Sequence, residues 1–511
     1  MCGIVGILGN HEAAPILVDA LKKLEYRGYD SAGIATINNG VLERRREIGK
    51  LVNLADKLVY QPLKGKAGIG HTRWATHGSP SVINAHPHKT GKVAVVHNGI
   101  IENFKALRDE LKSDGASFKT ETDTETVVQL CMQFLDNGKT PIQAVENTIA
   151  RLKGAYALCF LFECDENLLI AARKGSPLAI GHGSGEMFVG SDAIALAPMT
   201  NKITYLEEGD YAVITREKLE IRDINGTVTK REMKTLTLSI QSVQKGTYKH
   251  FMAKEIAEQP SVLANAINYN LNSAGNQVLM PNLDLDFNKI NHITMVACGT
   301  AFLACHVAKY WFEKIARIPV ELDVASEFRY REPPVDANGL AIFVSQSGET
   351  ADTLAALRYC NQNKMNTVGI VNVDESTISR EASISMQIHA GPEIGVASTK
   401  AFTCQLTALI FLTIKAAHDK RVISRERQTS LLTSLVHIPA LMVEALALEA
   451  EIKIIALELS KADNAIFLGR GTMFPLALEA ALKLKEITYI HAEGYASGEL
   501  KHGPIALVDE K

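Results

Sequence analysis

The sequence predicts an α+β layered sandwich followed by parallel α/β sheets with helices on both faces. Up to about residue 236, short β-rich runs alternate with a few helical patterns, and beyond about residue 281 apolar strands alternate with helices. At 511 residues the chain is too long for one hydrophobic core. About three domains are therefore expected.

The amino-acid composition and net charge limit which partners, metal sites and cellular location are expected. Hydrophobic residues make up 46% and charged residues 22% of the chain, and 54 Lys and Arg against 57 Asp and Glu give a net charge of −3. This balance argues against nucleic-acid or membrane partners and favours a small soluble substrate. The eight cysteines show neither a Cys-x-x-Cys pair nor zinc spacing, so we expect reduced thiols, no metal and a cytoplasmic location. Neither a signal peptide nor an apolar run long enough to span a bilayer is expected, because residues 401–417 are interrupted by Thr, Gln and Lys.

The first part contains a series of elements predicted from hydrophobic periodicity. Apolar residues after Cys2 indicate a buried strand at the start of the chain. Further strands are predicted at residues 33–37, 67–70, 93–96 and 155–162, helices at 13–26, 124–135 and 141–152, and short strands within 168–214.

Cys2 is the candidate nucleophile. A small second residue allows removal of Met1, which would leave a thiol beside a free α-amine. An α-amine has a pKa of roughly 7.7–8.0 and can accept the thiol proton near neutral pH. The alternative is an unprocessed Met-Cys before an ordinary strand.

Three polar positions follow predicted strands or precede a helix. Arg73 could hold a carboxylate with its planar fork, Asn98 and Gly99 could donate hydrogen bonds to an oxyanion, and Asp123 could pair with an ammonium group. Taken singly, each has an equally plausible structural role, as a surface arginine, an Asn-Gly turn and a helix N-cap. Together with Cys2 they supply a nucleophile, an oxyanion hole and binding groups for both ends of an α-amino acid.

Five motifs of the first part, MCGIVGI, EYRGYDSAG, HTRWATHG, NGIIEN and TDTE, resemble the N-terminal-nucleophile (Ntn) glutamine amidotransferase family. The resemblance implies the Ntn sandwich, with glutamine as substrate. It also implies roles for the following residues: Cys2 as nucleophile, Asn98 and Gly99 as the oxyanion hole, Arg73 on the α-carboxylate, Asp123 on the α-amine, Thr76 and His77 in the pocket, and Trp74 as the gate of an ammonia channel.

Residues 216–249 are rich in Lys, Arg, Thr and Gln and indicate an edge strand passing into a linker, with a boundary near residue 242. The predicted segments are 1–240, 241–280, 281–445 and 446–511. In the third, strands are predicted at 293–297, 339–344, 367–371 and 384–388.

The most informative loop of the second part, residues 345–350, lies between a strand and a helix predicted at 351–360. Hydroxyl and amide side chains around a glycine at a helix start favour an anion. The loop has neither the Walker nor the dinucleotide pattern, so a phosphomonoester suits it better than a nucleotide. The alternative is a capped helix with a serine-rich turn.

The loop resembles the phosphate-binding element of the sugar isomerase (SIS) domain family. The resemblance implies phosphate ligands at Ser345, Gln346, Ser347 and Thr350, with Val396 and Ser398 near the sugar. Thr300 is also expected to face the substrate. The family has Cys-Gly-Thr-Ser where this chain has Ala301 after Thr300, so we expect weaker or shifted sugar-phosphate binding.

Residues 464–472 repeat the pattern of residues 293–300, a strand, a Gly-Thr turn and a helix. The sequence ends too soon after this second copy to close its sheet, which suggests a truncated second SIS domain or completion by another chain.

In the helix of this second copy, Lys483 and Glu486 share one face and His502 follows in a loop. The resemblance implies Glu486 as enolisation base and His502 as ring-opening acid/base across a homodimer interface. The alternative is a solvated helix face and a loop histidine. The family's C-terminal Schiff-base lysine is absent from this sequence.

The order of the two parts is similar to that of the amidotransferases that convert glutamine and fructose 6-phosphate to glucosamine 6-phosphate with internal transfer of ammonia. No metal or organic cofactor is implied. In the intact protein we expect two coupled activities, glutamine hydrolysis at Cys2 and internal transfer of ammonia to fructose 6-phosphate. For the sequence as given, we expect glutaminase activity without synthesis. Alternatives are a deglycase or another amidotransferase acting on a different sugar phosphate, and a non-catalytic sugar-phosphate-binding module. The glutamine pocket argues against a deglycase, and the SIS loop argues against purine or asparagine-type amidotransferases.

Overall fold

The computed structural model describes residues 2–25, 28–74, 77–235, 245–280 and 283–508. The chain divides into two compact units, residues 1–244 and 245–511. The finer division into four segments remains a prediction.

The first unit is built from two antiparallel sheets and short helices. Its strands are β1 (Gly3–Leu8), β2 (Ser31–Asn38), β3 (Val41–Ile48), β4 (Ala67–Arg73), β5 (His88–Thr90), β6 (Val93–Ile101), β7 (Gly154–Phe162), β8 (Asp165–Lys174), β9 (Ala179–His182), β10 (Met187–Gly190), β11 (Lys202–Tyr205), β12 (Tyr211–Ile214), β13 (Leu219–Arg222), β14 (Val228–Thr229) and β15 (Met233–Thr235). Its helices are α1 (Ala13–Lys22), α2 (Leu51–Tyr60), α3 (Phe104–Ser113), α4 (Thr124–Asp136), α5 (Pro141–Arg151) and α6 (Ala193–Leu196).

The sheets form a sandwich between two layers of helices. One sheet has the order β15-β11-β9-β10-β1-β4-β2-β3 and the other β14-β13-β12-β8-β7-β6-β5. Alternate residues of β1 face opposite ways: Ile4 packs with Val96 of the other sheet, whereas Val5 joins the cluster that includes α1. The outer face of the second sheet packs on α3, α4 and α5. Since both faces of each sheet are covered, the central strands are apolar throughout rather than alternating. The predicted Ntn sandwich is confirmed.

The sandwich brings separate strand segments to one end of the unit. β1 pairs with β4, with Gly3 opposite Thr72, so Cys2 lies beside the end of β4. In the facing sheet, Asn98 and Gly99 belong to β6, and Gly99 pairs with Tyr156 of β7. The Asn-Gly turn considered as an alternative is therefore wrong, because this segment continues the strand.

The second unit is a parallel α/β structure. Its strands are β16 (Ile293–Ala297), β17 (Val320–Val324), β18 (Leu340–Ser345), β19 (Asn366–Val371), β20 (Ile384–Gln387), β21 (Asn464–Gly469) and β22 (His491–Ala496). Its helices are α7 (Phe251–Tyr269), α8 (Gly299–Trp311), α9 (Ala325–Arg331), α10 (Ala351–Gln362), α11 (Thr377–Glu381), α12 (Lys400–Asp419), α13 (Arg425–Val436), α14 (Ile438–Leu446), α15 (Glu449–Leu459) and α16 (Met473–Thr488).

The main sheet has the order β17-β16-β18-β19-β20 and buries both faces, one against α7, α8 and α12 and the other against α9, α10 and α11. It is doubly wound, as predicted. β21 and β22 form a separate parallel pair, joined by α16, which packs against both strands. Gly299 and Gly471 both have positive φ, at 54° and 59°, at the start of corresponding helices. The predicted internal repeat is present.

Two helical stretches are long and apolar enough to cross a membrane, Lys400–Asp419 and Arg425–Leu446. The expectation that no run is long enough is therefore wrong by length and composition. The first, α12, has 78% of its apolar window buried inside the protein, as a core helix does. The second comprises α13 and α14 and has 6% of its window buried.

Candidate active site

Cys2 directly precedes β1 and contacts Trp74, the residue after β4, and Asn98 of β6. Its sulfur accepts a hydrogen bond from the Trp74 main-chain N–H at 3.2 Å, and its thiol donates to the Trp74 carbonyl at 3.5 Å. The Cys2 carbonyl accepts a hydrogen bond from Asn98 Nδ2 at 2.8 Å. These contacts fix Cys2, immediately before β1, between the end of β4 and Asn98 of β6.

Burial raises the pKa of the Cys2 thiol, while the Trp74 N–H and the nearby positive terminus lower it. The first effect is the larger, because removing a thiolate from water costs more than one backbone hydrogen bond returns. The resting thiol is therefore protonated at neutral pH. A base would be needed to deprotonate this thiol before it could act as a nucleophile.

Arg73, the last residue of β4, is only 3% exposed. Its Nη2 donates to the carbonyl oxygens of His77 at 2.5 Å and Gly78 at 2.9 Å. Its Nη1 is buried and has no hydrogen-bond partner among the described residues. An unpartnered guanidinium N–H is costly to bury, so this donor is suited to an incoming carboxylate.

Asn98 and Gly99 occupy the β6 side of the site. Asn98 Oδ1 lies 3.0 Å from His71 Nε2, which leaves Nδ2 as the amide donor facing Cys2. Gly99 has φ +129°, and a Cβ there would lie 2.0 Å from the Ala155 carbonyl oxygen. Only glycine fits this position. The Gly99 main-chain N–H directly follows Asn98 in the sequence.

Asp123 stands at the N-cap position of α4 but does not cap the helix with its side chain. Its Oδ2 accepts a hydrogen bond from the Ile101 N–H at 2.9 Å, and its Oδ1 lies 3.9 Å from His97 Nδ1. The carboxylate is thereby tied to β6 rather than to its own helix. The interpretation of Asp123 as a simple N-cap is wrong.

The remaining predicted glutamine-pocket residues are partly described. The Trp74 ring is 46% exposed and contacts Tyr29 edge to face, with centroids 5.0 Å apart. The His77 ring contacts Phe104 at 5.4 Å, and its buried Nδ1 lacks a partner in the described part of the chain. Thr76 lies outside the described residues.

In the second unit, residues 345–350 form a tight turn between β18 and α10. Ser345 Oγ lies 2.8 Å from Thr350 Oγ1 and accepts the Gly348 N–H at 3.0 Å, while Ser347 Oγ accepts the Glu349 N–H at 3.2 Å. Thr350 occupies the N-cap position, yet its hydroxyl does not cap the helix. The capped-helix alternative therefore fails for Thr350. Gln346 contributes its carbonyl to the Asn372 N–H at 3.1 Å.

A second loop of this unit, residues 391–399, carries Val396 and Ser398. Val396 is exposed, and Ser398 donates to Glu393 Oε2 at 2.9 Å. Glu393 Oε1 also accepts the N–H groups of Thr399 and Ala401 at 2.8 and 3.1 Å. The loop is therefore held by its own carboxylate at the start of α12.

Glu255 of α7 anchors the same loop from the other side. Its Oε1 accepts the N–H groups of Ile394 at 2.5 Å and Gly395 at 2.9 Å. Burial raises the pKa of Glu255, while these two N–H groups lower it.

Thr300, Lys483 and two glutamates form a cluster between α8 and α16. Thr300 Oγ1 donates to Glu479 Oε1 at 3.0 Å and accepts from Lys483 Nζ at 3.0 Å. Lys483 Nζ also lies 2.6 Å from Glu486 Oε2 and 3.4 Å from Glu479 Oε1. The predicted pairing of Lys483 with Glu486 is thus present, with a buried second carboxylate whose pKa burial raises.

His502 lies apart from this cluster, in an exposed 3₁₀ turn at Leu500–His502. No hydrogen bond or ion pair joins its side chain to α16 within the described ranges. Among the described residues, no group of three or more His, Cys, Asp or Glu side chains could hold a metal ion.

Comparisons with known proteins bear on both units. The chain is 56% identical over 510 residues to a glutamine–fructose-6-phosphate aminotransferase [isomerizing] of Brucella melitensis, and 58% identical over 511 residues to one of Bradyrhizobium diazoefficiens. Each alignment covers 100% of this chain and 84% of the relative. The chain belongs to the glutamine–fructose-6-phosphate aminotransferase family.

Domain comparisons agree with this family. A family described as "Glutamine amidotransferase domain" matches residues 75–198, and one described as "SIS domain" matches residues 286–415 and 458–511. Among solved structures, the chain is similar to the C-terminal domain of glucosamine-fructose-6-phosphate aminotransferase from Francisella tularensis. The two share 46% identity and a TM-score of 0.51, over 52% of this chain and 76% of that one.

Several residues around the sites of this aminotransferase family member were missed by the sequence reasoning. They are His71, Glu255, Asn372, Glu393 and Glu479. Asn372 joins two loops, because its Oδ1 accepts the Ala390 N–H at 3.0 Å and its Nδ2 donates to Gly391 at 2.7 Å. Glu479 had a usable signal, since it lies four residues before Lys483 on one helix face. Glu393 binds residues five to eight positions away, in its own loop and at the start of α12, whereas His71, Glu255 and Asn372 act through contacts more distant in sequence.

Proposed function

We propose that this member of the aminotransferase family hydrolyses glutamine at Cys2 and transfers the released ammonia to fructose 6-phosphate, giving glucosamine 6-phosphate and glutamate. The observation that carries the proposal is the meeting of Cys2 and Asn98 at one end of the sandwich, with Asn98 Nδ2 2.8 Å from the Cys2 carbonyl. The family supports the pairing of this site with a sugar-phosphate site.

Glutamine hydrolysis begins with proton transfer from the thiol. Since burial raises the pKa of Cys2, the proposal includes removal of Met1, so that the freed α-amine takes the thiol proton. The sulfur then bonds to the amide carbon, and the amine returns its proton to the leaving nitrogen. Ammonia departs as the C–N bond breaks, and water hydrolyses the resulting thioester to glutamate.

Three side chains and one main-chain N–H would hold the substrate during these steps. The unpartnered Arg73 Nη1 suits the α-carboxylate, and Asp123 suits the α-ammonium. Asn98 Nδ2 and the Gly99 N–H would stabilise the oxyanion that forms in the transition state. His77 and Thr76 would line the pocket, with Trp74 gating the exit of ammonia.

In the second unit, the turn at residues 345–350 is proposed to bind the phosphate. Its hydroxyl groups, on Ser345, Ser347 and Thr350, surround the beginning of a 12-residue helix whose dipole favours an anion. Gln346, Val396, Ser398 and Thr300 would complete the sugar-phosphate site.

The sugar chemistry needs a base that moves a proton between C1 and C2. Glu486 is proposed for this step, with its charge held by Lys483 at 2.6 Å. His502 would open the sugar ring from a partner subunit. Ammonia replaces the C2 oxygen, which leaves as water. A homodimer and a cytoplasmic location form part of the proposal, and the eight free cysteines support a reducing compartment.

A coupled assay tests the proposal. Wild-type protein is incubated with amide-¹⁵N glutamine and fructose 6-phosphate, and both glutamate and labelled amino sugar are measured. Cys2→Ala should abolish glutamate release, whereas Cys164→Ala, which removes an exposed thiol of the same unit, should not. Full glutaminase activity in Cys2→Ala would overturn the proposal.

A further inference from the structure

Four histidines lie buried behind the Cys2 site, outside the residues assigned to glutamine. They are His71, His86, His88 and His97, each at most 5% exposed. Burial lowers the pKa of His71 to about 3 and also lowers the pKa of His86 and His97. All three are therefore neutral at physiological pH, and each carries one ring hydrogen. Where that hydrogen lies is set by the neighbours.

The position of the His71 ring hydrogen follows from the orientation of the Asn98 side-chain amide. Its Nδ2 donates to the Cys2 carbonyl, so its Oδ1 is the atom facing His71. His71 Nε2 lies 3.0 Å from this Oδ1 and 3.0 Å from the His97 carbonyl oxygen. Because both neighbours are acceptors, His71 Nε2 must carry the hydrogen.

The His86 ring packs edge-on against the face of the His71 ring. Its Nδ1 does not lie in the His71 ring plane opposite one nitrogen. Its Nδ1 lies 3.1 and 3.2 Å from the two nitrogens of His71, and the rings are 85° apart. Nearly equal distances place His86 Nδ1 over the face of the His71 ring. An N–H is attracted to the electron-rich face, so His86 Nδ1 carries its hydrogen.

The contacts continue to Thr124 at the start of α4. With its hydrogen on Nδ1, His86 accepts the Thr124 hydroxyl at Nε2, over 3.0 Å. Thr124 then accepts from His97 Nδ1 at 2.9 Å. Asp123 Oδ1, 3.9 Å from His97 Nδ1, favours a hydrogen on the same nitrogen. This direction agrees with the contacts from Asn98 to His97, and the Thr124 hydroxyl also lies 3.4 Å from Asp123 Oδ1.

We propose that His71 is a positioning residue for glutamine hydrolysis: its Nε2–H holds Asn98 Oδ1 so that the amide nitrogen faces the reacting carbonyl. The His97 carbonyl sets the required tautomer of His71, and His86, hydrogen-bonded to Thr124, packs on the His71 ring. The inference rests on the proposed glutaminase function. It adds a residue that touches neither glutamine nor the nucleophile but selects which end of the Asn98 amide faces the oxyanion.

Kinetics of matched variants test the role of the His71 donor. His71→Leu removes it and should lower kcat for glutamine hydrolysis by about 10- to 100-fold. The KM for glutamine should stay within about threefold, since Arg73 and Asp123 are unchanged. His71→Gln places an amide N–H near the position of Nε2 and should recover most of kcat. His182→Leu, which removes a half-buried histidine bonded to Thr204, should keep wild-type kcat.

Three kinetic results would overturn the inference: wild-type kcat in a folded His71→Leu protein, equal losses in His71→Leu and His71→Gln, or a loss confined to KM. Melting temperatures of all variants separate a loss of kcat from unfolding. Where His71→Leu does not fold, the comparison of His71→Gln with wild type and the tautomer measurement below decide the inference.

The tautomers can be read without any activity assay. ¹⁵N-histidine NMR of the wild-type protein should show His71 protonated at Nε2 and both His86 and His97 protonated at Nδ1, with assignments from single substitutions. The opposite tautomer at His71 would overturn the inference even in an active enzyme. A wild-type protein that releases no glutamate would instead refute the proposed function, while the NMR result would still test the placement of the hydrogens.

Discussion

The side-chain amide nitrogen of Asn98 lies 2.8 Å from the main-chain carbonyl oxygen of Cys2. Asn98 belongs to one sheet of the sandwich, and Cys2 begins a strand of the other. This hydrogen bond fixes a proposed oxyanion donor against the residue that carries the proposed nucleophile.

Asn98→Ala should therefore lower kcat for glutamine hydrolysis by about 10²–10³, the usual cost of losing one oxyanion donor. The KM should change by less than about threefold, because binding of the α-carboxylate and α-ammonium is unaffected. Steady-state glutamate release measures both constants. Asn167→Ala, which removes an asparagine bonded to Glu217 and Arg216, is the control. Unchanged kcat in Asn98→Ala would exclude this role.

Arg73→Lys should raise the KM for glutamine by about 10- to 100-fold, as expected for losing a hydrogen bond to a charged group. Arg73 Nη2 is held by the His77 and Gly78 carbonyls while Nη1 remains for substrate, and an ammonium group cannot reproduce both functions. The value of kcat should fall less. Arg151→Lys, at a surface pair with Glu110, provides the control. An Arg73→Lys enzyme with wild-type KM would contradict the assignment.

Gly348→Ala should weaken binding of fructose 6-phosphate by at least about tenfold. Gly348 has φ +63°, and a Cβ there would lie 1.9 Å from Ser376 Oγ, so the turn must move. Gly275→Ala is the control, because Gly275 has a similar φ of +67° and a Cβ there would meet open space. Both variants should lose about 1 kcal/mol of stability from left-handed backbone, Gly348→Ala should lose more because of its contact with Ser376, and only Gly348→Ala should lose affinity. Titration calorimetry measures the affinity, and equal affinities in the two variants would contradict a phosphate site in this turn.

The buried histidines should make the first unit less stable in acid. In an unfolded chain each histidine titrates near pH 6.5, whereas burial lowers the pKa of His71 in the folded protein to about 3. Below about pH 6.5 the unfolded chain therefore binds more protons, and the free energy of unfolding falls as pH falls, by up to about 1.4 kcal/mol per pH unit for each such histidine. Above pH 6.5 this contribution is complete.

Urea unfolding at pH 7, 6 and 5, followed by Trp74 fluorescence in a Trp311→Phe background, measures this dependence; the chain has two tryptophans. His71→Gln in the same background removes one titrating group. Its pH slope should be smaller by about one proton, because carboxylates contribute equally to both proteins. Identical slopes would show that His71 titrates normally in the folded protein.

The sequence by itself determined many of the elements and most candidate residues, because these depend on local patterns, although strands such as β3 and β17 were not predicted. The strand predicted at residues 293–297 is observed as Ile293–Ala297, and the helix predicted at 124–135 as Thr124–Asp136. The turn at residues 345–350 lies between strand and helix as expected. The contact of Lys483 with Glu486 follows from their spacing of three on a helix.

Tertiary structure alone decided which interpretation of an ambiguous segment holds. Asn98 and Gly99 could have formed a turn, but pairing with β7 extends them into strand. Asp123 could have capped α4, but its carboxylate accepts a hydrogen bond from the Ile101 N–H instead. The partners of His71 and Glu255, Asn98 and Gly395, are 27 and 140 residues away. Such contacts arise only when sheets and helices pack, since no local periodicity records which distant residue will face a buried polar group.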